Sequence, residues 1–125
     1  IKVSGAKGLA DSLFVTGFPF DDLRRTQNNL KVVEYLKQHS RGIRRFGSAA
    51  LDLAFVAAGR FEAYFEGGLN AWDVAAGILL VQEAGGIITD YEGSENYLFG
   101  GEIIAAVSSV HAPLVNKIRT VYYSE

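Results

Sequence analysis

Residues 66–86, Glu-Gly-Gly-Leu-Asn-Ala-Trp-Asp-Val-Ala-Ala-Gly-Ile-Leu-Leu-Val-Gln-Glu-Ala-Gly-Gly, decide how the rest of this chain is read. They set two carboxylates, Glu66 and Asp73, seven positions apart, the second at the mouth of a helix that is apolar almost all round. An Asp at a helix start ordinarily caps it, accepting orphan N–H groups of the first turn and complementing the positive end of the helix dipole. Trp72 before it and Val-Ala-Ala-Gly-Ile-Leu-Leu-Val after it predict a helix mouth fixed against a core. Gly85 and Gly86 supply the left-handed residue that ends such a helix. A carboxylate held that rigidly serves as a cap, as a ligand for a hard metal ion, or as both. Periodicity leaves both open and favours the cap.

On the N-terminal side of this helix, residues 61–65 alternate weakly and read as a strand that brings Glu66 to its end. Ser48 is placed to cap a helix over residues 49–58 that stops at Gly59. Asp52 is the one charge in that helix and reads as a hydrogen-bonded core group. Residues 43–46 read as a brief strand, and Asp21-Asp22 open a helix to about residue 38 with Leu30, Val33 and Leu36 at helical spacing. Residues 12–16 form a buried strand ended by a turn at Gly17 and Pro19. On the C-terminal side come a strand at 87–89, a polar hairpin-like stretch over 90–101 and an apolar strand at 103–107. An amphipathic helix over 112–123 closes the chain, with Leu114, Ile118 and Val121/Tyr122 on one face. Strands alternating with helices, and apolar strands without inside/outside alternation, predict an α/β fold whose sheet is covered on both faces.

Composition bounds the function. At 125 residues the chain is one domain's worth. Its 49% hydrophobic content and mean hydropathy of +0.13 lie at the apolar end for a short domain. A net charge of −2 gives no electrostatic reason to expect nucleic acid. The absence of cysteine excludes a disulfide scaffold and a thiolate metal site, and fits a reducing compartment. Asp52, Arg60 and Gln82 break the apolar runs, so none approaches the roughly 20 residues of a membrane span. No secretory signal is visible. The chain has no Met and opens on Ile-Lys-Val-Ser, unlike a translation start.

The run Trp72-Asp73-Val-Ala-Ala-Gly, closed by Glu83-Ala84-Gly85-Gly86, resembles the C-terminal signature of the inositol monophosphatase family of metal-dependent phosphatases. Gly47-Ser48-Ala49-Ala50-Leu51-Asp52-Leu53-Ala54 and Thr16-Gly17-Phe18-Pro19 resemble its bacterial branch, so the likeness runs from about residue 11 to 106. Three motifs in the right order are specific where a lone Trp-Asp is not. The resemblance implies a mixed, mostly parallel sheet flanked by helices, the C-terminal half of a layered α/β sugar-phosphatase fold. The family's Asp-Pro-Ile-Asp-Gly-Thr motif does not occur here, so residues 1–125 are expected to be a C-terminal domain without its N-terminal metal-binding half.

For the site, the resemblance implies that Asp73 ligates the second of the Mg²⁺ ions and approaches a substrate hydroxyl. Glu66, otherwise an exposed acid, is implied to accept hydrogen bonds from substrate hydroxyls. Gly47, Ser48 and Ala49, otherwise an ordinary capped helix start, are implied to contact substrate as well. An Arg matching Arg44 is taken as support for the site. Phe20 stands near where some members carry a substrate-contacting Ser, and receives no role. His39 and His111 lack metal-ligand spacing and read as incidental. No catalytic residue is expected in this half, because the water-activating carboxylates belong to the other. The substrate class is a small phosphorylated polyol or sugar such as myo-inositol 1-phosphate, with histidinol phosphate as an alternative. A cytoplasmic homodimer is expected, with no membrane attachment. Bacterial members also act as regulators associated with RNA polymerase, an alternative independent of catalysis.

Overall fold

Short apolar runs alternate with helical stripes along the chain, and the computed structural model, which describes residues 1–17 and 23–123, turns them into five strands and four α-helices. Strands β1 (Leu13–Thr16), β2 (Gly42–Arg44), β3 (Ala63–Gly67), β4 (Ile87–Thr89) and β5 (Glu102–Ala106) form one sheet in the order β2-β1-β3-β5-β4. β1 lies parallel to β2 and to β3, while β5 is antiparallel to both β3 and β4. Four strands therefore point one way and β5 alone is reversed, a mixed, mostly parallel sheet. The reversal follows from connectivity, since parallel neighbours need a long crossover whereas β4 reaches β5 through turns alone. Asp90 organises those turns: its Oδ1 accepts the N–H groups of Glu92 at 2.9 Å and Ser94 at 2.8 Å.

Helices α1 (Leu23–His39) and α4 (Ser108–Tyr123) cover one face, where Val32, Leu36, Leu114 and Ile118 meet Phe14, Phe65 and Ile104. Helices α2 (Ala49–Ala57) and α3 (Ala71–Glu83) cover the other, where Leu53, Val56, Ile78 and Val81 meet Val15, Tyr64, Ile103 and Ala105. Successive strand residues thus enter opposite cores, which is why the strands carry no polar alternation.

Several boundaries differ from expectation. The buried stripe of α1 is Asn29, Val32 and Leu36, and Leu30 is exposed. β2 ends at Arg44, short of Phe46, and β3 sits two residues later than predicted, carrying Glu66 inside the strand. α4 starts at Ser108, earlier than the expected residue 112, and contains Pro113. Phe18, Pro19, Phe20, Asp21 and Asp22 lie outside the described residues.

The connectivity opens a crevice. The β1–α1–β2 connection crosses one face, and β2–α2–β3 returns over the other. Where the two diverge, the carboxyl ends of β1 and β3 and the N-termini of α2 and α3 are left together, the place where open α/β sheets bind ligands.

Candidate functional site

A cleft of about 600 Å³ lies there, lined among the described residues by Gly17, Arg45, Gly47, Ser48, Ala49, Ala50, Glu66, Leu69, Trp72 and Asp73. Gly47, Ser48, Ala49, Glu66 and Asp73, separated by up to 26 positions in sequence, are brought to one place.

The start of α2 forms one wall. Gly47 turns the chain with a φ of 80°, a conformation that favours glycine. Ser48 is extended, and its Oγ accepts the Leu51 N–H at 3.3 Å. Ala49 and Ala50 follow, their first-turn N–H groups lacking intrahelical acceptors. Such amides suit an anion or a hydroxyl oxygen.

Asp73 forms the opposite wall, and its local role differs from the expected N-cap. Asn70 is the N-cap of α3, and Asp73 is the third helical residue, its Oδ2 accepting the Asn70 N–H at 3.1 Å. The Asp73 N–H donates in return to the Asn70 carbonyl at 3.0 Å. The bond from the Asn70 N–H to Asp73 Oδ2 is the reciprocating arm of a capping box, which holds the carboxylate from the helix side. The expectation of a helix mouth set in a core fails at Trp72, which is 79% exposed. α3 turns Val74, Ile78 and Val81 toward the sheet, and that rotation sends Trp72 outward.

Glu66 stands on the floor. Its Oε1 accepts the Tyr64 hydroxyl at 2.6 Å, and Gly17 on β1's end leaves room for it. Any Cβ at position 17 would run into the Glu66 carboxylate. Burial pushes the Glu66 carboxyl above its ordinary value; the Tyr64 hydrogen bond and the Arg45 cation pull it back, and Asp73 adds to the rise. Beneath it, Asp52 is only 1% exposed and neither carboxylate oxygen has a hydrogen-bond partner among the described residues. Burial, with Glu66 nearby, pushes its carboxyl up to about 6. The expected satisfied core group is thus an unsatisfied one, because the inner face of α2 is otherwise apolar and the Tyr64 hydroxyl is taken by Glu66.

Arg45 lines the cleft, whereas Arg44, the arginine singled out in the sequence, lines a different cleft. His39 and His111 have local roles: His39 Nδ1 lies 2.8 Å from the Tyr35 carbonyl, and His111 Nε2 lies 2.8 Å from Thr89 Oγ1. Sequence reasoning missed Arg45, Leu69 and Trp72. For Arg45 and Trp72 the only available signal was adjacency to the recognised motifs.

Among the described residues no three His, Cys, Asp or Glu side chains converge on a metal-sized space. Asp73 offers the cleft one hard oxygen donor, a fit to part of a magnesium shell and not to all of it.

The family model for the inositol monophosphatase family matches residues 1–122. A Pseudomonas aeruginosa protein named Nus factor SuhB is 46% identical over 121 residues, covering 95% of this chain and 45% of that protein. A Synechocystis protein named inositol-1-monophosphatase is 46% identical over 114 residues, covering 91% of this chain and 40% of that one. Among solved structures, the inositol monophosphatase from Anabaena superposes with a TM-score of 0.88 at 43% identity, covering 97% of this chain and 49% of that chain. This chain therefore spans about half the length of the relatives it matches.

Proposed function

Because this chain belongs to the inositol monophosphatase family, we propose that it is the substrate-seating part of a Mg²⁺-dependent phosphomonoesterase acting on myo-inositol 1-phosphate or a related small polyol or sugar phosphate. The observation that supports this reading is the meeting of Glu66, Asp73 and the α2 N-terminus around one cleft. Asp73 is the residue that would hold metal, together with carboxylates supplied from outside these 125 residues. Bound magnesium would supply Lewis-acid stabilisation of phosphoryl and leaving-group oxygens and an activated water. The chain's own residues orient the alcohol. Glu66, an acceptor-only group once ionised, takes hydrogen bonds from ring hydroxyls, and such charge-assisted bonds are the stronger kind. The Ala49 amide donates to an oxygen of the ligand while the Ser48 side chain remains engaged as cap. Arg45 adds positive charge to a cleft that otherwise holds two acids.

The test is Asp73→Asn in the full protein. Hydrolysis of myo-inositol 1-phosphate should fall by roughly 10²-fold, the scale of losing one group that stabilises transition-state charge, and half-activation should need more Mg²⁺. Stability should barely change, since an amide oxygen still accepts from the Asn70 N–H. Turnover and Mg²⁺ dependence close to wild type would refute the ligand assignment. A second reading is favoured by the name Nus factor SuhB carried by relatives at 43–46% identity, a regulatory role in association with RNA polymerase. A regulator keeps its cellular phenotype in the Asp73→Asn variant, and a phosphatase loses it.

A further inference from the structure

We propose that Asp52 is a positioning residue for Glu66, on the reading of Glu66 as the acceptor of substrate hydroxyls: its carboxylate, buried on the core side of Glu66, holds that acid forward toward the ligand. Asp52 lies in the first turn of α2, the helix whose start forms one wall of the cleft. Its side chain turns inward, where it is 1% exposed and neither oxygen meets a hydrogen-bond donor among the described residues. The titratable groups coupled to it are Glu66 and the Tyr64 hydroxyl, both on β3. The other elements packed on α2 bring apolar side chains to this core, Val74 and Ile78 from α3 and Ile103 and Ala105 from β5. Arg45 and Asp73 act on Glu66 and not on Asp52.

An acid in such a place destabilises the fold, because its charged form gives up water and gains no donor. A neutral side chain of similar size would remove that penalty, so a carboxylate kept there points to a use in the neighbouring site. The use lies in how Glu66 is held. Its Oε1 takes the Tyr64 hydroxyl at 2.6 Å, and among the described residues no hydrogen bond engages Oε2. Glu66 is therefore tethered to the core at one oxygen, with a second carboxylate beneath it. Like charges in a shared low-dielectric pocket repel, which keeps Glu66 from settling inward and raises the negative potential at its free oxygen. Hydroxyl donors bond more strongly to an oxygen in that state. The Tyr64 hydrogen bond and the Arg45 cation favour the charged form of Glu66, whereas Asp52 has neither support. Asp52 thus acts on the ligand only through Glu66, and only when it is itself ionised.

The experiment is steady-state kinetics of the full protein with Mg²⁺ and myo-inositol 1-phosphate, at pH values on both sides of the value of about 6 to which burial pushes the Asp52 carboxyl. The variants are Asp52→Asn, Asp52→Leu, Glu66→Gln and Asp52→Asn combined with Glu66→Gln. Well above that pH, Asp52→Asn and Asp52→Leu should each raise KM by about three- to tenfold, the effect of weakening a hydrogen bond to a charged group, with kcat and the Mg²⁺ activation curve unchanged. Below it the wild-type carboxyl is protonated, so the ratio of variant to wild-type KM should fall toward unity. Titration of the substrate phosphate is common to all the proteins and cancels in that ratio. In the Glu66→Gln background, Asp52→Asn should add nothing. Both substitutions remove a buried charge at nearly constant size, so at high pH the variants should resist urea at least as well as wild type, and a raised KM is then not unfolding. A KM ratio of unity at every pH, a rise independent of pH, or effects that add in the combined variant each overturn the proposal. KM raised by Glu66→Gln but by neither Asp52 variant refutes the positioning role alone. KM unchanged by Glu66→Gln refutes the reading of Glu66 and the proposal with it.

Discussion

At the scale of single residues, the site concentrates acids that repel one another, and that repulsion makes two of them testable. In the proposed function Glu66 recognises hydroxyls and does not hold metal; its Oε1 is engaged by Tyr64 and its carboxylate lies over Gly17. Glu66→Gln in the full protein should raise KM, or reorder preference among polyol phosphates, by roughly tenfold, the cost of weakening one or two charge-assisted bonds. The Mg²⁺ activation curve should hardly move; a large loss of metal affinity with unchanged selectivity would count against the assignment. Asp52 makes a prediction about pH. Its folded pKa of about 6 lies above the ordinary 3.8, so between those values the folded chain binds a proton that the unfolded chain has released. The stability contributed by the neutral acid is complete below about pH 4 and is lost as the pH rises toward 6, on the order of 2–3 kcal/mol. Asp52→Asn carries no such proton. The difference between wild-type and variant urea midpoints should therefore shift against wild type across this window, and a constant difference would show that Asp52 is solvated.

At the scale of elements, the two helices that frame the site are held by their closeness to each other. Gly77 on α3 faces α2, and a Cβ there would come within 2.6 Å of Leu53 Cβ. Alanine for glycine within a helix ordinarily gains up to about 1 kcal/mol. Here Gly77→Ala should instead lose about 1–3 kcal/mol by overpacking, and Leu53→Ala in the same chain, which removes Cγ and Cδ1 but keeps the Cβ, should recover only part of that loss. A double-mutant cycle by chemical denaturation reads the coupling, and additive effects would contradict the close approach. The same packing explains what the sequence disclosed. Every described strand and α-helix was legible, because two cores demand apolar runs on both sides of the sheet and glycine punctuates them; the 3-10 turn over Leu9–Asp11 was not. Positions within α1 were not, because whether Leu30 or Val32 turns inward depends on what α4 and the sheet present to it. That Ser48 and Asp73 line one cleft was legible only through resemblance, since spacing along the chain cannot bring them together. Two properties had no sequence signature at all. Asp52 lacks a partner because of how Tyr64 is committed across the core, and Trp72 is exposed because of how α3 is rotated.

At the scale of the whole molecule, α2 and α3 present an unpartnered outer surface on which Trp72, Leu51, Leu79 and Leu80 are all exposed. Patches of this kind mark surfaces that expect a partner. The 125 residues by themselves should therefore associate in solution and show no turnover of myo-inositol 1-phosphate in excess Mg²⁺, because one carboxylate at Asp73 cannot assemble a multi-metal site. Sedimentation and an activity assay on the chain at verified intact mass decide it, and steady turnover would mean that a complete catalytic centre exists within it. Trp72 has a further consequence. The chain contains a single tryptophan, and it stands in water at the rim of the cleft. Its fluorescence is therefore an address as well as a signal: the red-shifted emission of a hydrated indole belongs to this rim and to nowhere else in the chain. Whatever fills or covers the rim dries the indole and moves that emission to the blue, so occupancy is readable optically without a label.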